Sequence, residues 1–217
     1  SLDQMADRLM RGMAFNPERL RALVPDADAV EQRAFPTPKG LRSAALLRLA
    51  LVEQDFGSGD RENMDADLGA LDAAVIRALS RSPADAFLWL AAFWGRNLNG
   101  SDNETNLALL RMSYATGPRE GWIALKRNRV ALALYSQLTP DLKEDAMREF
   151  AGLVSSGLYD DAAAILVGPG WPLRERLLER LTSVDYLDRE RFAAVLAREG
   201  YEVPVPGVEL GPQRPWR

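Results

Sequence analysis

The side chains best suited to chemistry are six aromatics, Phe87, Trp89, Phe93, Trp94, Tyr114 and Trp122. On a helix, residues three, four or seven apart share a face. Trp89 therefore lies beside Phe93, and Phe87 beside Trp94. Exposed rings of this kind stack on sugars or grip a peptide, and buried ones fill the seam between helices. Packing between helices is the simpler expectation. Trp89 and Trp94 cannot face the same way, so at least one of them is expected to reach solvent.

A run of cations comes next. Arg119, Lys126, Arg127 and Arg129, set against Glu120, make one locally positive element. Lys126 and Arg129 fall near one face and are candidates to hold an acidic partner, a phosphate or an anionic polysaccharide. A solvated helix face is the plainer reading, with Asn128 as a buried polar contact between helices. Trp89, Trp94, Trp122, Lys126 and Arg129 are thus the candidate binding residues.

Carboxylates gather earlier, at Glu53, Asp55, Asp60, Glu62, Asp65, Asp67 and Asp72, against Arg61. Their spacing does not fit a calcium loop of the EF-hand type, which needs alternating acids, a central glycine and a terminal glutamate. An exposed acidic loop is expected, with no metal. Asp160-Asp161 and Glu144-Asp145 are neighbours in sequence, and neighbours on a helix point apart, so neither reads as a glycosidase pair. Gly168-Pro169-Gly170 lacks the Lys and Ser/Thr of a phosphate loop.

Composition narrows the classes further. The 217 residues contain no Cys and no His. Thiolate chemistry, disulfides, imidazole bases and triads of the Ser-His-Asp kind are excluded. No catalytic residue and no cofactor is expected, and the chain reads as not an enzyme. A net charge of −4 disfavours nucleic acid as a partner. With 47% apolar residues there is ample material for a core. No stretch approaches the roughly 18 apolar residues of a membrane span. The chain opens on Ser1 rather than Met, so a removed leader, anchor or tag is an expectation, and a membrane would be reached only through such a segment. Cytoplasm and periplasm both remain open.

The elements that position these groups read as helices throughout. Leu2, Met5, Leu9 and Met13 have helical spacing, and Asn16-Pro17-Glu18 opens a short helix to about Val24. Pro25 and Phe35-Pro36-Thr37-Pro38 are expected to break the chain into an extended linker. A broadly apolar helix follows from Leu41 to Gly57, then one over 64–80. Ser82 is the expected cap of a helix over 83–96, and Ser101 with Glu104 forms a capping box for the next. Helices over 118–136, from Pro140, over 172–182 and over 188–199 complete the pattern, and a proline-rich tail over 201–217 is expected to be extended.

One phrase repeats. Pro83-Ala84-Asp85-Ala86-Phe87-Leu88-Trp89-Leu90 returns as Pro118-Arg119-Glu120-Gly121-Trp122-Ile123-Ala124-Leu125, 35 residues later. Gly157-Leu158-Tyr159-Asp160-Asp161-Ala162 adds a glycine, an aromatic two on and an alanine three further. Together these resemble degenerate tetratricopeptide repeats, whose period is about 34 residues. The resemblance covers about 41–166. It departs from the family in the displaced Trp122, the long loop over 97–102 and the bulky Phe93. It implies an all-α fold of stacked antiparallel helical hairpins in a right-handed superhelix. A helical C-terminal cap over 168–200 and the extended tail would follow. The organisation reads as an entry segment over 1–39, hairpins over 40–167, the cap and the tail. More loosely, the phrases from Pro83 to Pro172 are similar to those of uncharacterised alpha-proteobacterial helical proteins, some linked to surface polysaccharide production.

The expectation is a non-enzymatic scaffold that holds a protein or peptide partner, with an envelope or exopolysaccharide role. The rival is a glycan-binding module or glycan-acting enzyme that uses tryptophans and carboxylates. It requires carboxylates to meet beside exposed Trp89, Trp94 or Trp122 in a deep cleft.

Overall fold

The computed structural model describes residues 1–59, 61–100, 103–118 and 120–209. Asp60, Arg119, the Ser101-Asp102 part of the expected capping box and tail residues 210–217 lie outside them, as does the side chain of Glu62. The described residues are helical and contain no strand, so the fold is all-α. They form two compact units, Ser1–Pro118 and Arg119–Arg217.

The first unit is built around α4, Pro38–Ser58. Thr37 caps it by accepting from the Gly40 amide, and Gly59 ends it in the left-handed region at φ 73°. Leu41, Leu47, Leu49, Leu51 and Val52 are all buried, which surrounds α4 with neighbours on nearly every side. Three short helices close one flank: α1 (Leu2–Met10), α2 (Pro17–Arg21) and α3 (Val24–Glu31). Leu2, Met5, Leu20 and Ala27 pack there against Ala44, Leu47 and Leu51.

The expected break at Pro25 is corrected by α3. Pro25 stands in the first turn of that helix, where its missing N–H would have had no intrahelical partner. The buried Arg48 of α4 fastens α3 by reaching Asp28 and, at 3.4 Å, Glu31.

On the other flank α4 pairs with α5 (Arg61–Leu79), and α6 (Ala86–Leu98) pairs with α7 (Asn103–Thr116). The α6 helix packs on both α4 and α5. Its cap is Asp85, not Ser82. The Asp85 carboxylate accepts from the amides of Phe87 (3.0 Å) and Leu88 (3.4 Å) and meets Arg42 of α4 at 2.6 Å. The added tie to α4 favours a cap at Asp85 and leaves 82–85 as a turn. Ser113 of α7 donates to the Ala86 carbonyl at 2.8 Å and fixes the second pair at its base.

In the second unit α9 (Pro140–Ser155) is central and packs against α8 (Gly121–Ala133), α10 (Tyr159–Val167), α11 (Arg174–Arg180) and α12 (Tyr186–Arg198). The rings of Phe150 and Phe192 meet edge to face, 6.0 Å apart. Two expected helices are shorter than their sequence signals. The helix expected over 118–136 is α8 followed by a 3-10 turn, Tyr135–Gln137, and α11 is flanked by 3-10 turns on both sides. Tyr159 donates its hydroxyl to Asp188 at 2.6 Å and so joins α10 to α12. Beyond Gly200, residues 201–209 run without helix, with Val205 buried and Arg189 donating to the Pro206 carbonyl.

The 35-residue repeat has a structural counterpart. Helices α6 and α8 are both 13 residues long, and their caps, Asp85 and Glu120, stand one period apart. Phe87 and Trp122 are each the second residue of their own helix, and Leu88 and Ile123, which follow them, are both fully buried.

Candidate functional site

A trough of about 350 Å³ runs between α5 and α6. From α5 it takes Leu68, Gly69, Leu71 and Val75, with exposed Asp65 and Asp72 along the rim. From α6 it takes Ala91, Ala92 and Gly95, with Arg96 and Asn99 at one end. The spacing explains the lining, since 65, 68, 69, 72 and 75 fall on one stripe of α5, and 91, 92, 95, 96 and 99 on one stripe of α6.

Two glycines shape it in opposite ways. A Cβ at Gly95 would stand 3.0 Å from Leu71 Cδ2, so the bare backbone there lets α6 approach α5 closely. A Cβ at Gly69 would meet nothing within 4 Å. The missing side chain of Gly69 is part of the open space.

The expected acidic loop divides in two. Asp65 and Asp72 face outward at the trough, and Asp72 lies 3.6 Å from Arg96. Asp65 has no ion pair among the described residues. Asp55 and Asp67 instead turn toward Arg21 of α2, at 2.6 and 3.1 Å. Asp55 is buried, and its Oδ2 has no hydrogen-bond partner among the described residues. Burial raises the Asp67 carboxyl above its ordinary range, the neighbouring Asp55 carboxylate adds to this, and Arg21 opposes both. The two carboxylates raise Arg21 in turn, chiefly through its hydrogen bond to Asp55. No cluster of three metal-binding acids occurs among the described residues.

The five candidate binding residues are distributed as follows. Trp89 is half-buried and donates its indole N–H to the Pro83 carbonyl at 2.8 Å, which braces the turn before α6. Trp94 is half-buried against Phe56 of α4, edge to face at 6.3 Å. Neither lines the trough. Trp122 and Lys126 are half-buried on α8, and Arg129 is exposed on it. Those three are four and three residues apart, so α8 does carry an aromatic and two cations near one face.

Arg127 corrects the reading of α8 as a solvated cationic face. It is fully buried, and Oε1 of Glu149 on α9 accepts from its Nε at 2.9 Å and its Nη2 at 2.5 Å. Asn128 is also fully buried and donates to the Ala146 carbonyl at 2.7 Å, the polar contact between helices that the sequence suggested.

Two features had no sequence signal strong enough to find them. The trough depends on Gly69 and Gly95, which lie on different helices. On the second unit the Arg174 guanidinium sits 5.0 Å over the ring of Trp171, and Tyr201 lies 6.2 Å from that ring. The phrase Gly168-Pro169-Gly170-Trp171-Pro172 reads only as an interruption of helix. A second cavity, of about 440 Å³, lies in the same unit among Tyr135, Glu144, Met147, Arg176 and Arg180. Within it Glu144 pairs with Arg180 at 2.5 Å, and Arg148 reaches the same carboxylate at 3.6 Å.

No helix among the described residues is long and apolar enough to cross a membrane. Comparison with known proteins gives no match of any kind, whether to a family model, a curated protein or a solved structure.

Proposed function

We propose that the protein is a non-enzymatic interaction scaffold and that the α5–α6 trough holds a segment of a partner protein. The observation that carries this reading is the trough itself. It is an open channel between two helices with a mixed polar and apolar lining, bare of a side chain at Gly69 and edged by exposed Asp65 and Asp72. A groove between helices accepts an apolar stripe from another chain, and its rim charges select the partner.

The paired helices and the 35-residue period of α6 and α8 are consistent with a tetratricopeptide-like right-handed stack, with the last helices as its cap. A place in envelope or exopolysaccharide assembly rests on the looser resemblance alone. On α8, Trp122, Lys126 and Arg129 would suit an acidic peptide or an anionic polysaccharide as a second ligand.

The glycan-acting reading has less support. It calls for two carboxylates beside an exposed tryptophan, whereas the Asp55–Asp67 pair is turned onto Arg21.

Affinity purification of the full chain from its native cells, with chemical cross-linking and mass spectrometry, tests the scaffold reading. A stable partner cross-linked to the chain is expected. Repeated recovery of the protein alone would overturn it.

A further inference from the structure

Resting on the scaffold reading, we infer that the occupant of the trough is an amphipathic helix carrying cations seven residues apart, with apolar residues midway between them. The first argument is charge. The trough offers two outward-facing carboxylates against one guanidinium. Asp65 has no ion pair among the described residues, and Asp72 has only a surface contact with Arg96 at 3.6 Å. A half-exposed contact of that length exchanges partners readily.

The second argument is spacing. Asp65 and Asp72 are seven residues apart on α5, about 10.5 Å along its axis at 1.5 Å per residue. A helix laid alongside α5 has the same rise. Lys or Arg at its positions i and i+7 therefore meets both acids at once.

The third argument is volume. Gly69 stands midway between the two acids, four residues after Asp65, where a Cβ would meet nothing within 4 Å. An apolar side chain at i+3 or i+4 of the incoming helix falls over that opening, where Leu68 and Ala92 line the trough. The cations at i and i+7 lie on the same face as the apolar residues, one turn before and one turn after them. An acidic helix would set like charge against Asp65 and Asp72 and is rejected.

The experiment uses the full chain and two synthetic helical peptides, observed by fluorescence anisotropy. One has Lys at i and i+7 with Leu at i+3 and i+4, and the other replaces each Lys with Glu. The lysine peptide is expected to bind, the glutamate peptide at least about tenfold more weakly. Raising salt from about 0.05 to about 0.5 M should weaken the lysine peptide as screening shortens the reach of the rim.

Two variants locate the site. Gly69→Leu fills the trough from a position with free space, so the fold is kept, and binding should fall at least about tenfold. The double variant Asp65→Lys, Asp72→Lys should reverse the preference between the peptides. Equal affinity for the two peptides, or a Gly69→Leu chain that binds as well as the wild type, would overturn the inference. So would a change in the mass of the free protein by light scattering on Gly69→Leu, since the occupant would then be a second copy. If peptide binding fails but a partner is still cross-linked at another surface, the occupant assignment falls and the scaffold reading survives. If no partner is found either, both fall.

Discussion

Arg127 on α8 donates to Oε1 of Glu149 on α9 from its Nε at 2.9 Å and its Nη2 at 2.5 Å, and its side chain has no exposed surface. A buried pair of this kind is costly to break, because removing one partner leaves the other charged and desolvated. Arg127→Ala or Glu149→Ala should lower stability by about 3–5 kcal/mol in urea denaturation. The double variant Arg127→Met, Glu149→Leu should recover most of that loss, because both charges leave together. A double variant as unstable as the single ones would mean that the pair supplies net stability rather than avoiding a penalty.

That pair also marks the limit of what the chain discloses before folding. The helical period, the repeat over Pro83 and Pro118 and the apolar surround of α4 were all legible, because each is carried by residues close in sequence. The fate of Arg127 depends on Glu149, 22 residues away, and a cation between Lys126 and Arg129 looks solvated until that partner is known. Pro25 misled for a related reason. A proline breaks a helix interior but suits a first turn, and the helix it opens is fixed by Arg48 reaching back from α4. Of the site, the acids were visible and their division was not. Asp55 and Asp67 turn inward because Arg21, on a separate short helix, is there to receive them.

Asp67 should leave a signature in the pH dependence of stability. Burial raises its carboxyl above the ordinary 3.8, so the folded chain holds that proton more tightly than the unfolded chain does. The resulting stability is fully present below 3.8 and is lost as pH rises through the raised folded value. Asp67→Asn removes this titration. Its melting temperature relative to wild type should therefore rise between about pH 3.5 and about pH 7. A difference that stays flat, or that falls with rising pH, would show that Arg21 outweighs burial at this site.

Two glycines of the second unit should respond in opposite directions to alanine. A Cβ at Gly170 would stand 2.9 Å from the Ile165 carbonyl oxygen and 2.9 Å from Leu177 Cδ1, and the carbonyl belongs to the backbone and cannot yield cheaply. Gly170→Ala should cost about 1–3 kcal/mol by overpacking. Gly152, inside α9, has open space at its Cβ position, and Gly152→Ala should gain about 0.5–1 kcal/mol in thermal or chemical denaturation. A tolerated Gly170→Ala would mean that the turn into α11 can open.

The most direct test of the central claim is photo-cross-linking at Ile76 in native cells. Ile76 is exposed on α5, one residue beyond Val75 and four beyond Asp72, both of which line the trough. With a photoreactive residue at 76, the scaffold account predicts a discrete adduct with one partner protein, and its loss when Gly69→Leu fills the trough. No adduct, or an adduct unchanged by Gly69→Leu, would contradict it.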